Sequence, residues 1–221
     1  VEALKTAGKR IVFVNFSGAA IALEPESLNC EAILQAWYPG QAGGTAVADV
    51  LFGDYNPAGR LPITFYKSMQ QLPDYEDYSM KGRTYRYMTE SPLYSFGHGL
   101  SYTNFTYGPA TLSQQTISQG KEVTLTIPVQ NTGNYDGEEV VQVYLSPGDK
   151  EGPSHTLRAF KRVHIAKGQR ANVSFTLDSE TFQWFDTNTN TMRMVEGNYE
   201  LLYGGTSRID QLQKISISVT D

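Results

Sequence analysis

The sequence predicts a partial α/β sheet at the start of the chain and an all-β sandwich at its end. Residues 11–14 and 32–38 are short, continuous apolar runs, which are typical of parallel strands buried on both faces. From residue 109 onward apolar and polar residues alternate, which is typical of strands with one buried face. We therefore expect the fold class α/β plus all-β.

The α/β part is expected over residues 1–66. The first residues have the pattern of the end of an amphipathic helix, a Gly-rich turn precedes a helix at about 45–52, and residues 61–65 predict a third strand. Strand, helix and strand with short loops imply a right-handed crossover. So few elements cannot close a sheet that is covered on both faces. We therefore expect the C-terminal part of an α/β sandwich domain, and a chain that is a fragment.

Residues 67–108 predict a connecting arm. They are rich in Tyr, Pro, Gly and Ser and show little periodicity. Long irregular segments of this kind are usually functional or linking. The aromatic content of the arm indicates that it packs against other parts of the protein.

Residues 109–221 predict a two-sheet sandwich. Val123, Leu125, Ile127 and Val129 share one face of a strand, and the same alternation recurs along about seven short segments separated by turn residues. Immunoglobulin and fibronectin type III domains both have this pattern. The Cys…Trp…Cys spacing of true immunoglobulin domains is missing, which favours the fibronectin type III-like version.

Composition excludes several function classes. The chain of 221 residues has a formal net charge of −5 and no basic cluster, which argues against nucleic acid as a partner. No apolar stretch is long enough to span a membrane. The single cysteine, Cys30, excludes an intrachain disulfide, and its apolar surroundings predict a buried, inert thiol.

Several polar residues are candidates for catalytic or metal-binding groups. The candidate carboxylates for acid–base work on a sugar are Asp49, Asp54, Asp74, Glu76 and Asp77. For each of them a helix, turn or solvated position is the simpler interpretation. The histidines His98, His155 and His164 match no metal spacing. Residues 131–138 faintly resemble a calcium loop but lack its ligand spacing, so we expect no metal and no cofactor.

The run Gly82-Arg83-Thr84-Tyr85-Arg86-Tyr87 is the polar and aromatic segment most suited to a sugar. Guanidinium and phenol groups bind hydroxyl groups and stack on sugar faces. We therefore predict Arg83, Tyr85 and Arg86 as substrate-binding residues. The alternative is an ion-paired loop that docks two domains.

Several motifs together resemble glycoside hydrolase family 3 over essentially the whole chain. Residues 36–44 (AWYPGQAGG) and 48–62 (ADVLFGDYNPAGRLP) resemble the C-terminal α/β domain of that family. Residues 92–103 (PLYSFGHGLSYT) are similar to the segment that leads into its fibronectin-like domain. Residues 160–163 and 197–201 resemble strands of that domain, and the run at 82–87 resembles the β-xylosidase branch more than the β-glucosidase branch.

The resemblance implies a retaining exo-β-glycosidase that removes terminal β-D-xylosyl or β-D-glucosyl residues from plant-type oligosaccharides. Its nucleophile, an Asp, and its acid/base, a Glu, are implied to lie in sequence that precedes these residues, so we assign no catalytic residue here. The chain alone is expected to be inactive and to pack on the missing N-terminal domains. We expect a periplasmic or secreted location.

A non-enzymatic carbohydrate-binding or adhesion module is the alternative, because fibronectin-like folds often bind partners. The partial α/β sheet of residues 1–66 favours the glycosidase, since a binding module has no need of it.

Overall fold

The chain divides into two compact units in the computed structural model, which describes residues 1–147, 152–186 and 189–220. The first unit comprises Val1–Tyr55 and Leu61–Phe96, and the second comprises Asn56–Arg60 and Gly97–Asp221. The short segment Asn56–Arg60 therefore belongs with the β-sandwich, although it lies between two stretches of the first unit. The division into 1–66, 67–108 and 109–221 stays a prediction.

The first unit contains a parallel strand pair and short helices. Its elements in chain order are α1 (Glu2–Thr6), β1 (Val12–Asn15), α2 (Glu24–Asn29), β2 (Ala32–Gln35), α3 (Gly43–Phe52), a 3₁₀ turn (Met69–Gln71) and α4 (Thr84–Tyr87). Strands β1 and β2 are parallel, as predicted, and Val12 lies opposite Ala32. Helix α3 ends at Gly53, whose positive φ of 88° favours glycine. Within the described part of the chain, no helix has both the length and the apolar character needed to cross a membrane.

Four expectations for the first unit are wrong. Residues 61–65 form no strand; Phe65 makes a single antiparallel bridge with Tyr94. The strands are not buried on both faces, because Val12 is exposed on a sheet of only two strands. Cys30 is half-buried rather than buried. Strand β2 ends at Gln35, and Trp37 beyond it takes a positive φ of 55°.

The second unit is a sandwich of two sheets. Its strands are β3 (Phe105–Tyr107), β4 (Thr111–Leu112), β5 (Thr116–Ile117), β6 (Glu122–Asn131), β7 (Gly137–Ser146), β8 (Thr156–Ile165), β9 (Arg170–Asp178), β10 (Gln183–Asp186), β11 (Thr191–Met194), β12 (Gly197–Gly204) and β13 (Gln213–Val219). One sheet has the order β5-β13-β12-β7-β8. The other has the order β3-β6-β4, with β9 also paired to β6, and β10 and β11 form a separate hairpin. The predicted fold class is confirmed.

The core of the second unit lies between the two sheets. On β6 the side chains of Val123, Leu125, Ile127 and Val129 are buried, as their alternation predicts. They belong to one cluster with buried residues of β7, β12 and β13, including Val143, Leu201 and Ile217. Each fully buried aliphatic side chain contributes about 1.5–3 kcal/mol of transfer free energy. This core gives the second unit a basis for stability within its own residues.

Candidate functional site

An open groove lies in the irregular segment that precedes α4. Its volume is about 460 Å³, and it is lined by Met69, Leu72, Pro73, Tyr75, Asp77, Tyr78, Met80 and Arg83. Small-molecule sites typically measure about 300–1,000 Å³. Tyr75 and Tyr78 are solvent-exposed, at 92% and 89% of their surface areas. The groove is thus an aromatic surface with one carboxylate and one guanidinium.

Arg83 organises the backbone of this groove. Its Nε donates to the carbonyl oxygen of Ser79 at 3.0 Å, and its Nη2 donates to the carbonyl oxygens of Asp77 and of Asp74, the latter at 3.5 Å. Its own backbone N–H donates to the carbonyl of Met80 at 3.0 Å. The guanidinium therefore holds the turns that carry Tyr75 and Tyr78.

Asp77 supplies an acceptor that is charged at neutral pH. Its Oδ1 accepts from the backbone N–H of Ser79 at 2.8 Å. The hydrogen bonds from the backbone and the hydroxyl of Ser79 lower the pKa of Asp77, with smaller help from the Arg83 charge. A general acid at neutral pH needs a raised pKa. Asp77 is consequently suited to accept a hydrogen bond from a ligand rather than to donate a proton.

The residues of α4 contact side chains that do not line the groove. The ring of Tyr85 stacks on Phe96, with 4.7 Å between centroids and 21° between planes. The N–H groups of Thr84 and Tyr85 donate to the hydroxyls of Tyr66 and Thr64, at 2.9 and 3.2 Å. These contacts fix α4 within the first unit.

The guanidinium of Arg86 lies 5.4 Å from the ring centroid of Tyr87, within cation–π range. Its Nε is buried and has no hydrogen-bond partner among the described residues. Of the three predicted substrate-binding residues, Arg83 lines the groove, whereas Tyr85 and Arg86 are not among the lining residues.

The other candidate carboxylates have separate locations. Asp49 lies on α3, and Asp54 is exposed just after that helix. Asp74 and Glu76 are exposed, and the Oδ1 of Asp74 accepts from the N–H of Glu76 at 2.9 Å. These positions match the helix, turn and solvated interpretations given above.

The second unit contains a buried polar cluster that the sequence did not indicate. Glu139 accepts from Arg60 Nη2 at 2.7 Å and from the Tyr107 hydroxyl at 2.8 Å. Burial raises the pKa of Glu139, although the Arg60 charge opposes the shift. Burial and the Glu139 charge raise the pKa of Tyr107 well above its ordinary value of 10.0. Both side chains are enclosed, so the cluster stabilises the fold rather than reacting with a substrate.

The loop that faintly resembles a calcium site is closed by its own hydrogen bonds. Asn131 Oδ1 accepts from the Thr103 hydroxyl at 2.6 Å and the Gly133 N–H at 3.1 Å. Its Nδ2 donates to the carbonyls of Tyr135 and Ile165, at 2.8 and 2.9 Å. Among the described residues, no group of three or more His, Cys, Asp or Glu side chains is placed to hold a metal ion.

The family comparison covers most of the chain. Residues 1–102 match the glycosyl hydrolase family 3 C-terminal domain, and residues 139–207 match the fibronectin type III-like domain. The chain belongs to glycoside hydrolase family 3. The family resemblance of the sequence motifs is therefore confirmed.

Relatives of this family 3 chain include xylosidases and glucosidases. A xylan 1,4-beta-xylosidase of Xylanibacter ruminicola is 53% identical over 220 residues, which are 99% of this chain and 25% of the relative. A periplasmic beta-glucosidase of Salmonella typhimurium is 37% identical, over 91% of this chain and 30% of the relative. The chain thus spans about a quarter to a third of the length of these relatives.

A solved structure has the same fold as this family 3 chain. The β-glucosidase of Erythrobacter marinus superposes with a TM-score of 0.87 at 35% sequence identity. The match covers 99% of this chain and 29% of that structure. Both units of the chain therefore have their counterparts within one larger glycosidase.

Proposed function

We propose that this chain forms the C-terminal region of a retaining exo-β-glycosidase. The enzyme removes terminal β-D-xylosyl or β-D-glucosyl residues from plant-type oligosaccharides. The nucleophile and the acid/base belong to a part of the polypeptide outside these residues, and the chain contributes structure and substrate contacts.

The observation that carries this proposal is the continuous match to glycosidases across both units. The 53% identity to the xylan 1,4-beta-xylosidase extends over 220 residues, which are 99% of this chain. Together with the 82–87 motif, this identity favours β-D-xylosides over β-D-glucosides as the preferred substrates.

The surface of the first unit supports packing on further domains of the same enzyme. Its buried hydrophobic side chains among the described residues are Leu23 and Phe65. Its large exposed apolar side chains include Leu4, Val12, Phe16, Leu28 and Phe52. A unit with so few buried apolar side chains has little hydrophobic core of its own to stabilise it. We infer that the preceding domains cover part of its exposed apolar surface.

We propose that the enzyme is periplasmic or secreted, which gives it access to plant oligosaccharides outside the cytoplasm. The similarity to a periplasmic beta-glucosidase of Salmonella typhimurium supports this. Fractionation of the native host, with immunodetection of the protein, checks the location; recovery only with cytoplasmic markers contradicts it.

The activity is tested with the complete polypeptide that carries this chain. We expect hydrolysis of p-nitrophenyl β-D-xyloside, with a larger kcat/KM than for the β-D-glucoside, and NMR detection of the β-anomer as first product. The 221-residue chain alone is the matched control and is expected to show only the background rate. Absence of glycosidase activity in the complete protein, or turnover by the chain alone, contradicts the proposal.

A further inference from the structure

We propose that the groove around Tyr75 and Tyr78 binds pyranose units of the oligosaccharide substrate. This inference rests on the proposed glycosidase function and names a contact surface for its substrate. The ligand class is an uncharged β-linked xylo- or gluco-oligosaccharide. Of the three residues that the sequence predicts to bind substrate, Arg83 lines this groove, whereas Tyr85 and Arg86 do not.

The first argument is the exposure of the two tyrosines. Both rings are about nine-tenths exposed, at 92% for Tyr75 and 89% for Tyr78, although each ring is a large apolar surface. Tyr combines an apolar face with a polar hydroxyl, which matches the C–H faces and the hydroxyl groups of a sugar. Binding a sugar against such rings removes apolar area from water and leaves the phenol groups able to form hydrogen bonds.

The second argument is the charge of the lining. The groove contains one acidic and one basic side chain, Asp77 and Arg83, whose charges cancel. The Nε and Nη2 of Arg83 are occupied by backbone carbonyls, so this guanidinium does not offer its usual fork to a phosphate or carboxylate. Asp77 remains as an acceptor for a sugar hydroxyl. This combination favours a neutral polyhydroxylated ligand over an anion.

The third argument is that the groove is formed before any ligand arrives. The 3₁₀ turn Met69–Gln71 is closed by the Leu72 N–H on the Met69 carbonyl at 3.0 Å. The next turn is closed by the Asp77 N–H on the Asp74 carbonyl at 3.1 Å, and Arg83 braces the same turn. A surface fixed in this way loses less conformational entropy on binding.

The competing occupant is another domain of the same polypeptide, which would cover the rings as an ordinary apolar contact. The two occupants predict different effects. A sugar surface affects only substrates long enough to reach it, and a domain contact affects stability and all substrates alike.

The test uses the complete enzyme that carries this chain, with Tyr75→Ala and Tyr78→Ala. We expect KM for xylotetraose to rise about five- to tenfold, and KM for p-nitrophenyl β-D-xyloside to change less than about twofold. Tyr75→Phe and Tyr78→Phe keep the stacking surface and should retain the wild-type KM. Tyr135→Ala, at a residue of the second unit that is 61% exposed, is the matched control and should change neither value.

A second readout does not depend on catalysis. In affinity electrophoresis through gels containing soluble xylan or mixed-linkage β-glucan, we expect retardation of the wild type and loss of retardation in the two Ala variants. If the protein is retarded but hydrolyses no glycoside, the glycosidase proposal fails and the groove proposal stands.

Two results overturn the groove proposal while the glycosidase function stands. One is an active enzyme in which both Ala variants keep the wild-type KM for xylotetraose and the wild-type retardation. The other is an equal change of KM for both substrates together with a lowered Tm, which identifies the groove as a contact between domains.

Discussion

Arg60 and Glu139 form a buried ion pair, with 2.7 Å between Arg60 Nη2 and Glu139 Oε2, across 79 positions of sequence. Their side chains are 9% and 4% exposed, and Tyr107 donates its hydroxyl to the second carboxylate oxygen. Asn56, at the other end of the same segment, accepts from the Tyr102 N–H and donates to the Asp136 carbonyl, both at 2.8 Å. These hydrogen bonds and the ion pair hold the segment Asn56–Arg60 against the β-sandwich.

Glu139→Gln is expected to destabilise the second unit by about 3–5 kcal/mol, because it leaves the buried Arg60 charge without its counter-ion. Glu138→Gln is the matched control, since the adjacent Glu138 pairs with Arg162 through partly exposed side chains. Exposed pairs of this kind contribute about 0–1 kcal/mol. Urea unfolding followed by tyrosine and tryptophan fluorescence compares the two variants. Equal losses in both would contradict a special role of the buried pair.

Gly97→Ala is expected to destabilise the second unit more than Gly120→Ala does. Both glycines have a positive φ, 76° and 73°, so both variants incur the same backbone strain. A Cβ on Gly97 would also clash with Oε1 of Gln142, whereas nothing lies within 4 Å of a Cβ built on Gly120. The clash should cost about 1–3 kcal/mol beyond the strain.

Thermal unfolding of the two glycine variants checks this difference. Gln142 donates to the Gly205 carbonyl at 2.8 Å, so displacing it also disturbs the backbone just after β12. Indistinguishable Tm values for Gly97→Ala and Gly120→Ala would show that the loop around Gly97 relaxes without cost.

Periodicity predicted those parts of the fold that rest on local pattern. The alternation of Val123, Leu125, Ile127 and Val129 depends only on neighbours along the strand, and these residues are buried as predicted. Helix α2 was missed because its six residues, EPESLN, are too short for an apolar period. The predicted strand at 61–65 failed because an apolar run does not show whether a partner strand lies beside it.

The candidate site was less predictable than the fold. No local pattern connects Arg60 to Glu139, since the pair depends on how the chain returns to the sandwich. Asp77 was considered as a solvated acid, and Tyr75 and Tyr78 were not singled out, because their common groove depends on the turns that Arg83 braces. Substrate binding by Arg83, Tyr85 and Arg86 stays a prediction.

That prediction is checked by Arg83→Ala, Tyr85→Ala and Arg86→Ala in the complete enzyme. We expect each variant to raise KM for xylo-oligosaccharides several-fold, with kcat changed less. Tyr85→Phe keeps the stack on Phe96 and serves as the control. Unchanged kinetics with a lowered Tm would instead favour a loop that only docks domains.

Asn131→Ala is expected to cost about 2–4 kcal/mol, because it removes four hydrogen bonds, two of them to the buried Thr103 hydroxyl and Ile165 carbonyl. Asn134→Ala, at an exposed position of the same loop, should change stability by less than about 0.5 kcal/mol. Chemical denaturation measures both. Similar effects at the two positions would contradict the organising role of Asn131.

The second unit is expected to lose stability as pH falls from about 6.5 to about 4, through His155. This side chain is 1% exposed, its Nε2 lies 2.8 Å from the Ser207 carbonyl, and its Nδ1 lies 2.8 Å from the Ser154 hydroxyl. Burial lowers the pKa of His155 from 6.5 to about 4.

Above pH 6.5 the imidazole is neutral in both the folded and the unfolded state, so its contribution to stability is fully present. Between these two pKa values the unfolded state binds more protons, and stability falls with decreasing pH by about 3 kcal/mol at most. His155→Gln should flatten the pH dependence of the urea midpoint over this window, whereas His164→Gln, at an exposed histidine, should leave it unchanged. An NMR titration that finds His155 protonating near 6.5 in the folded protein would overturn the prediction, because the two states would then bind protons alike.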